Sequence, residues 1–99
     1  MISTNTMSLR EKILPIVRKY GVERVILFGS MARGDADQTS DHDFLISKGS
    51  LRSLIQYMSF VSELESALQR HVDVVPDTSS DEDIIRVAIQ EGILLYERQ

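Results

Sequence analysis

Three short apolar runs, each followed within two residues by glycine or ending in proline, most constrain what this chain can become. They are RVILF at residues 24–28, DFLIS at 43–47 and VDVVP at 72–76. Branched residues dominate them and they are too short for helices, so they read as buried strands. Between and around them the apolar residues recur at helical spacing. Leu9, Ile13, Ile16 and Val17 form one stripe. Ser8 with Glu11 reads as its capping box, which leaves residues 1–7 as a flexible lead-in. Pro15 either kinks or splits that helix, and Gly21 closes it. Leu51, Leu54, Ile55, Met58, Val61, Leu64 and Leu68 predict a longer helix of about five turns, with Ser50 as its cap and Met58 in the core. Phe60 falls off that stripe and is expected to face a partner. Ile84, Ile85, Val87, Ala88 and Ile89 predict a last helix, capped by Ser80 or Asp81 and ended by Gly92. Residues 93–97, ILLYE, form either a terminal strand or an extended tail. Met31 to Gly34 fits a single helical turn, and residues 35–39 a polar loop. Helices alternating with strands in this order predict an α/β (α+β) domain, a small mixed sheet flanked by helices.

The 99 residues suffice for one domain, 1–99, and not for a second core. Hydrophobic residues make up 42% and charged residues 26%, an ordinary globular balance. Cysteine is absent, which removes disulfides and thiolate metal sites and fits a cytoplasmic protein. No apolar run reaches the length of a membrane span, and the N-terminus lacks the apolar core of a signal peptide. The net charge is −4 and the basic residues are scattered, which argues against extended nucleic-acid binding. A single nucleotide chelated to a cation remains compatible with that charge.

The chemistry concentrates between the first two strands, in FGSMARGDADQTSDHDFLIS. Strand side chains alternate, so Asp41 and Asp43 share one face at the start of a strand. Two carboxylates so close repel unless a cation lies between them. Mg²⁺ suits an all-oxygen ligand set and keeps room for substrate phosphates. Asp73 is a third acid, alone in the apolar run VDVVP, and a strand beside the second would bring it to the same cluster. Gly29 allows a sharp turn and close approach to a ligand, so its N–H and the Ser30 hydroxyl can hold phosphate oxygens. Taken singly, each piece also fits a turn, a solvated loop end or an edge residue. In this order they make the parts of a phosphoryl or nucleotidyl transfer site.

The stretch GSMARGDADQTSDHDFLI resembles the signature of the minimal nucleotidyltransferases of the DNA polymerase beta-like superfamily: Gly-Ser, ten residues, then Asp-x-Asp. Ala32-Arg33-Gly34, Ser40 before the first acid, VDVV around Asp73 and the closing EGILLYERQ are similar to that family as well. The resemblance implies a polymerase-beta-like nucleotidyltransferase fold. It implies that Asp41, Asp43 and Asp73 are the catalytic acids and hold one or two Mg²⁺ ions. ATP would be the nucleotide, gripped by Gly29 and Ser30, with Arg33 and Ser40 also lining its site. Asp73 would help deprotonate the attacking hydroxyl. For Arg33 a salt bridge to Asp35 or Asp37 is an equal alternative. The resemblance further implies an antitoxin that transfers AMP to a tyrosine of a HEPN-domain toxin.

Two histidines stand near these acids. His42 replaces the aliphatic residue usual in the middle of Asp-x-Asp, and alternation sends it to the opposite face, under a helix, as a packing residue. His71 shares strand parity with Asp73 and could approach the site, where a histidine–carboxylate transition-metal site is the alternative to Mg²⁺. Tyr20, Tyr57 and Tyr96 are expected to pack rather than to stack on a base. Two other readings of the whole chain stay open at this level. One is a binding module that neutralises its partner by occlusion without catalysis. The other is a globular domain with an acidic turn and no nucleotide site.

Overall fold

The computed structural model describes residues 4–29 and 42–98. Within them the elements run α1 (Thr4–Tyr20), β1 (Arg24–Phe28), β2 (His42–Ser47), α2 (Leu54–Leu68), β3 (Val72–Pro76), α3 (Glu82–Glu91) and β4 (Ile93–Glu97). The four strands form one mixed sheet in the order β3-β2-β1-β4. β1 pairs antiparallel with both β2 and β4, while β2 and β3 are parallel. The expected α/β class and the order of elements hold, and ILLYE is a strand.

The sheet is covered on both faces. Val25, Leu27, Phe44, Ile46 and Val72 pack against α1 and α2 through Leu9, Ile13, Val17, Phe60 and Leu64. Ile26 and Leu45 face the other way, onto Ala88 of α3, with Phe28, Val75 and Ile85 around them. A small residue at that contact lets α3 lie close to the sheet.

Helix boundaries differ from the spacing-based reading at the start of α1 and at the cap of α2. α1 starts at Thr4, not at Ser8, so Thr4–Met7 are helical rather than a flexible lead-in. Thr6 is buried and continues the Leu9, Ile13, Val17 stripe by one more turn, a position an apolar pattern misses because the residue is polar. Of the two effects expected of Pro15, splitting is absent, since α1 runs unbroken through this residue. It stands on the exposed side with Glu11 one turn before it, so the carbonyl that loses its amide partner lies toward water. α2 is capped by Ser53 rather than Ser50: Ser53 Oγ accepts from Gln56 N at 3.0 Å, and Gln56 Oε1 accepts from Ser53 N at 3.2 Å. Ser50 lies three residues earlier, where its amide donates to Gly21 O at 3.1 Å.

The buried face of α2 is a correction as well. Leu54, Ile55 and Met58 are 73%, 77% and 62% exposed, whereas Phe60 is fully buried. The core stripe is Tyr57, Phe60, Leu64 and Leu68, roughly a quarter turn from the expected one. Aromatic side chains bury the most apolar area, and this rotation puts two of them inward. Phe60 meets Tyr20 edge-to-face, with ring centroids 5.6 Å apart.

β3 is an edge strand, and its outer side is partly occupied. Its ladder bonds to β2 run through odd-numbered residues, as His42 N to His71 O and Asp77 N to Ile46 O show, so the even-numbered amides point outward. Val72 N donates to Glu65 Oε2 at 3.0 Å. Val74 O accepts from the Tyr57 hydroxyl at 2.6 Å. Pro76 has no N–H to leave unpaired there.

Candidate functional site

The site lies at one end of the sheet, where three elements converge. β1 ends at Phe28, whose register partner on β2 is Asp43. β2 and β3 run parallel from that same end, and Asp43 pairs in register with Asp73. The two carboxylates therefore leave adjacent strands from neighbouring positions, about 4.8 Å apart along the hydrogen-bonding direction. Both belong to the alternation set that faces α3, but they precede the apolar contact made by Leu45 and Val75. Asp43 is half-buried and Asp73 is exposed. The sequence expectation that the third strand lies beside the second, bringing Asp73 to Asp43, is met.

Gly29 follows β1 with φ +76°, a conformation that glycine adopts without strain. A Cβ there would lie 2.4 Å from Asp43 Oδ2. The main chain thus runs directly against the carboxylate, leaving no room for a side chain. That close approach, beside two adjacent acids, suits a metal held by oxygen ligands with a phosphate on the neighbouring amide. Ser30, Arg33, Ser40 and Asp41 lie outside the described residues, as do the turn expected at Met31 to Gly34 and the loop that follows. Among the described residues no three His, Cys, Asp or Glu side chains close around one point.

The structure joins two further groups to Asp73. His71 Nε2 is 3.1 Å from Asp73 Oδ1, and His71 Nδ1 is 2.9 Å from Glu65 Oε2. Parity on the strand anticipates the first contact. The second escapes a reading of the sequence because Glu65 sits on α2, beyond a left-handed turn at Gln69 with φ 55°. His42 lies on the opposite face, as alternation requires. It is 4% exposed and stacks on Phe44, with centroids 6.0 Å apart and planes 14° from parallel. It is a packing residue in the slot usually filled by an aliphatic one.

A separate polar cluster ties α1 to α2, away from the acids. The Tyr20 hydroxyl donates to Glu63, and Lys19 Nζ lies 3.1 Å from the same carboxylate. The Tyr20 hydrogen bond, then the Lys19 one, hold the Glu63 carboxyl below its ordinary value. The same contacts raise the pKa of Lys19 and of Tyr20. Tyr57 is raised by burial. No described helix is long and apolar enough to cross a membrane.

Comparison with known proteins agrees with this geometry. Residues 11–99 match the family model described as polymerase beta, nucleotidyltransferase. A Methanocaldococcus jannaschii protein named as a candidate protein adenylyltransferase is 41% identical over 71 residues, 72% of this chain and 76% of the relative. The protein adenylyltransferase MntA of Thermococcus cleftensis is 32% identical over 75 residues, 76% of each chain. A chain from a toxin–antitoxin crystal structure with AMP-PNP superposes with a TM-score of 0.78 at 25% identity, covering 91% of this chain and 74% of that one. With nine-tenths of its length inside the family model and two acids paired at the end of a mixed sheet, the chain belongs to the polymerase beta nucleotidyltransferase family.

Proposed function

We propose that this protein transfers AMP from ATP to a hydroxyl, most simply a tyrosine of a HEPN-domain toxin, and thereby acts as that toxin's antitoxin. One observation carries the reading: Asp43 and Asp73 stand in register on parallel strands, with the Gly29 main chain against the Asp43 carboxylate. A relative of this chain is named a protein adenylyltransferase, and a similar fold was crystallised in a toxin–antitoxin complex with an ATP analogue.

In this reading Asp43 and Asp73, with Asp41, would hold one or two Mg²⁺ ions. A bound divalent cation supplies charge neutralisation for the triphosphate and makes an adjacent hydroxyl more acidic. The Gly29 N–H and the Ser30 hydroxyl orient the phosphates, and Arg33 and Ser40 line the nucleotide. Asp73 accepts the proton as the acceptor oxygen bonds to the α-phosphorus. The bond from that phosphorus to the bridging oxygen breaks, and pyrophosphate leaves. The protein contributes mainly by holding reactants in line.

The test is incubation with ATP, Mg²⁺ and the protein encoded by the neighbouring gene, read by intact mass. AMP units should appear on the partner and be absent with Asp43→Asn of unchanged circular dichroism. An Asp43→Asn, Asp73→Asn double variant that forms the complex and still protects cells would replace catalysis by occlusion.

A further inference from the structure

We propose that His71 is a positioning residue for Asp73: clamped by Glu65, it fixes one carboxylate oxygen and leaves the other for the divalent cation. This rests on the metal-dependent reading above.

The clamp holds both the ring and the backbone. Glu65 Oε2 lies 2.9 Å from His71 Nδ1 and accepts from Val72 N at 3.0 Å. The His71 carbonyl accepts from His42 N at 3.1 Å, so residue 71 already belongs to the β2–β3 ladder. Main chain on one side and imidazole on the other are thereby anchored to separate elements, β2 and α2. The opposite ring nitrogen, Nε2, meets Asp73 Oδ1 at 3.1 Å. A carboxylate oxygen only accepts, so in the tautomer that carries its proton on Nε2 the ring donates to Asp73 Oδ1. Asp73 Oδ2 is then the oxygen available as a ligand.

Exposure decides what such a chain of contacts can do. The His71 and Asp73 side chains are 60% and 55% exposed. Exposed ion pairs add little to stability, so folding is not where this contact would register. An exposed carboxylate is, however, free to rotate when nothing holds it. Carboxylate ligands of metals are commonly hydrogen-bonded from outside, and removing such partners weakens metal binding by 10–100-fold.

The experiment measures Mn²⁺ affinity of the full chain with AMP-PNP, by the electron paramagnetic resonance signal of free Mn²⁺. His71→Ala should weaken binding by about tenfold, the lower end of that range, while melting near the unaltered chain. His71→Gln, whose amide nitrogen can take the place of Nε2, should restore most of it. Unchanged or tighter binding in His71→Ala overturns the proposal, as does an equal loss in Ala and Gln. If His71→Ala does not fold, Glu65→Ala, which removes the acceptor that clamps the ring, replaces it, and unchanged affinity there overturns the proposal equally. Asp73→Asn separates the two levels. Weakened binding in Asp73→Asn with none in His71→Ala refutes only the role of His71, and no Mn²⁺ binding by the unaltered chain refutes both.

Discussion

Replacing Gly29 by alanine should separate stability from activity. The φ of +76° at Gly29 costs an L-residue about 1–2 kcal/mol. The added Cβ would also sit 2.4 Å from Asp43 Oδ2, so that oxygen must retreat by roughly 1 Å to reach ordinary contact. The oxygen is at the end of a side chain and can swing away, so the clash adds little to the folding cost. Its effect falls on the site, where a displacement of that size lowers rates by roughly 100-fold. Gly49→Ala is the matched control at the other end of β2. There a Cβ would meet the Gly21 carbonyl oxygen at 2.3 Å, and a main-chain atom cannot swing aside. The assay is AMP transfer at saturating Mg²⁺, normalised to folded protein, alongside thermal melts. Melting should fall by about 4–8 °C for each kcal/mol lost in a domain of this size. Gly29→Ala should melt modestly lower and lose nearly all transfer, while Gly49→Ala should melt lower still and keep its specific activity. Gly29→Ala with transfer within about threefold of the unaltered chain would refute the argument that the Gly29 main chain sets the Asp43 carboxylate.

Two further outcomes follow from the helix layer. Phe60→Ala should destabilise by about 3–5 kcal/mol, whereas Met58→Ala, on the exposed side of α2, should stay within about 0.5 kcal/mol; urea titrations giving equal losses would contradict the observed rotation of α2. The Glu63 carboxyl is held below its ordinary value of 4.5, first by Tyr20 and then by Lys19, so its stabilisation is present above pH 4.5 and disappears as pH falls through its lower folded value. The melting difference between the unaltered chain and Glu63→Gln should therefore shrink in acid, and a constant difference from pH 7 to about 3 would rule this out.

Much of the sheet was legible because branched apolar runs bounded by glycine or proline have few alternatives. Asp43 and Asp73 were legible for a second reason: an acid inside such a run has to go somewhere polar, and alternation says which face. The rotation of α2 was not legible from spacing. Leu54, Ile55 and Met58 are as apolar as the residues that won, and the choice was made by tertiary contact of Phe60 with Tyr20 and by the Tyr57 hydrogen bond to Val74. The start of α1 was hidden by a buried threonine, and Ser50 lost the cap of α2 because Ser53, with Gln56 three residues on, makes the full capping box directly before Leu54. Glu65 was invisible because its contact with His71 depends on how the chain reverses after α2, which no periodicity encodes.

The partly occupied outer side of β3 has a consequence for how an acceptor reaches the acids. An extended segment added to this sheet beside Asp73 would find Val72 N already bonded to Glu65, Val74 O already bonded to Tyr57 and no N–H at Pro76, which disfavours pairing there. That favours a hydroxyl presented on a folded surface at the open end of the sheet over one carried by an added strand. Selectivity for the acceptor then comes from docking of two rigid shapes rather than from reading a linear peptide, so a short tyrosine-containing peptide cut from the true partner should be a poor substitute for the folded protein.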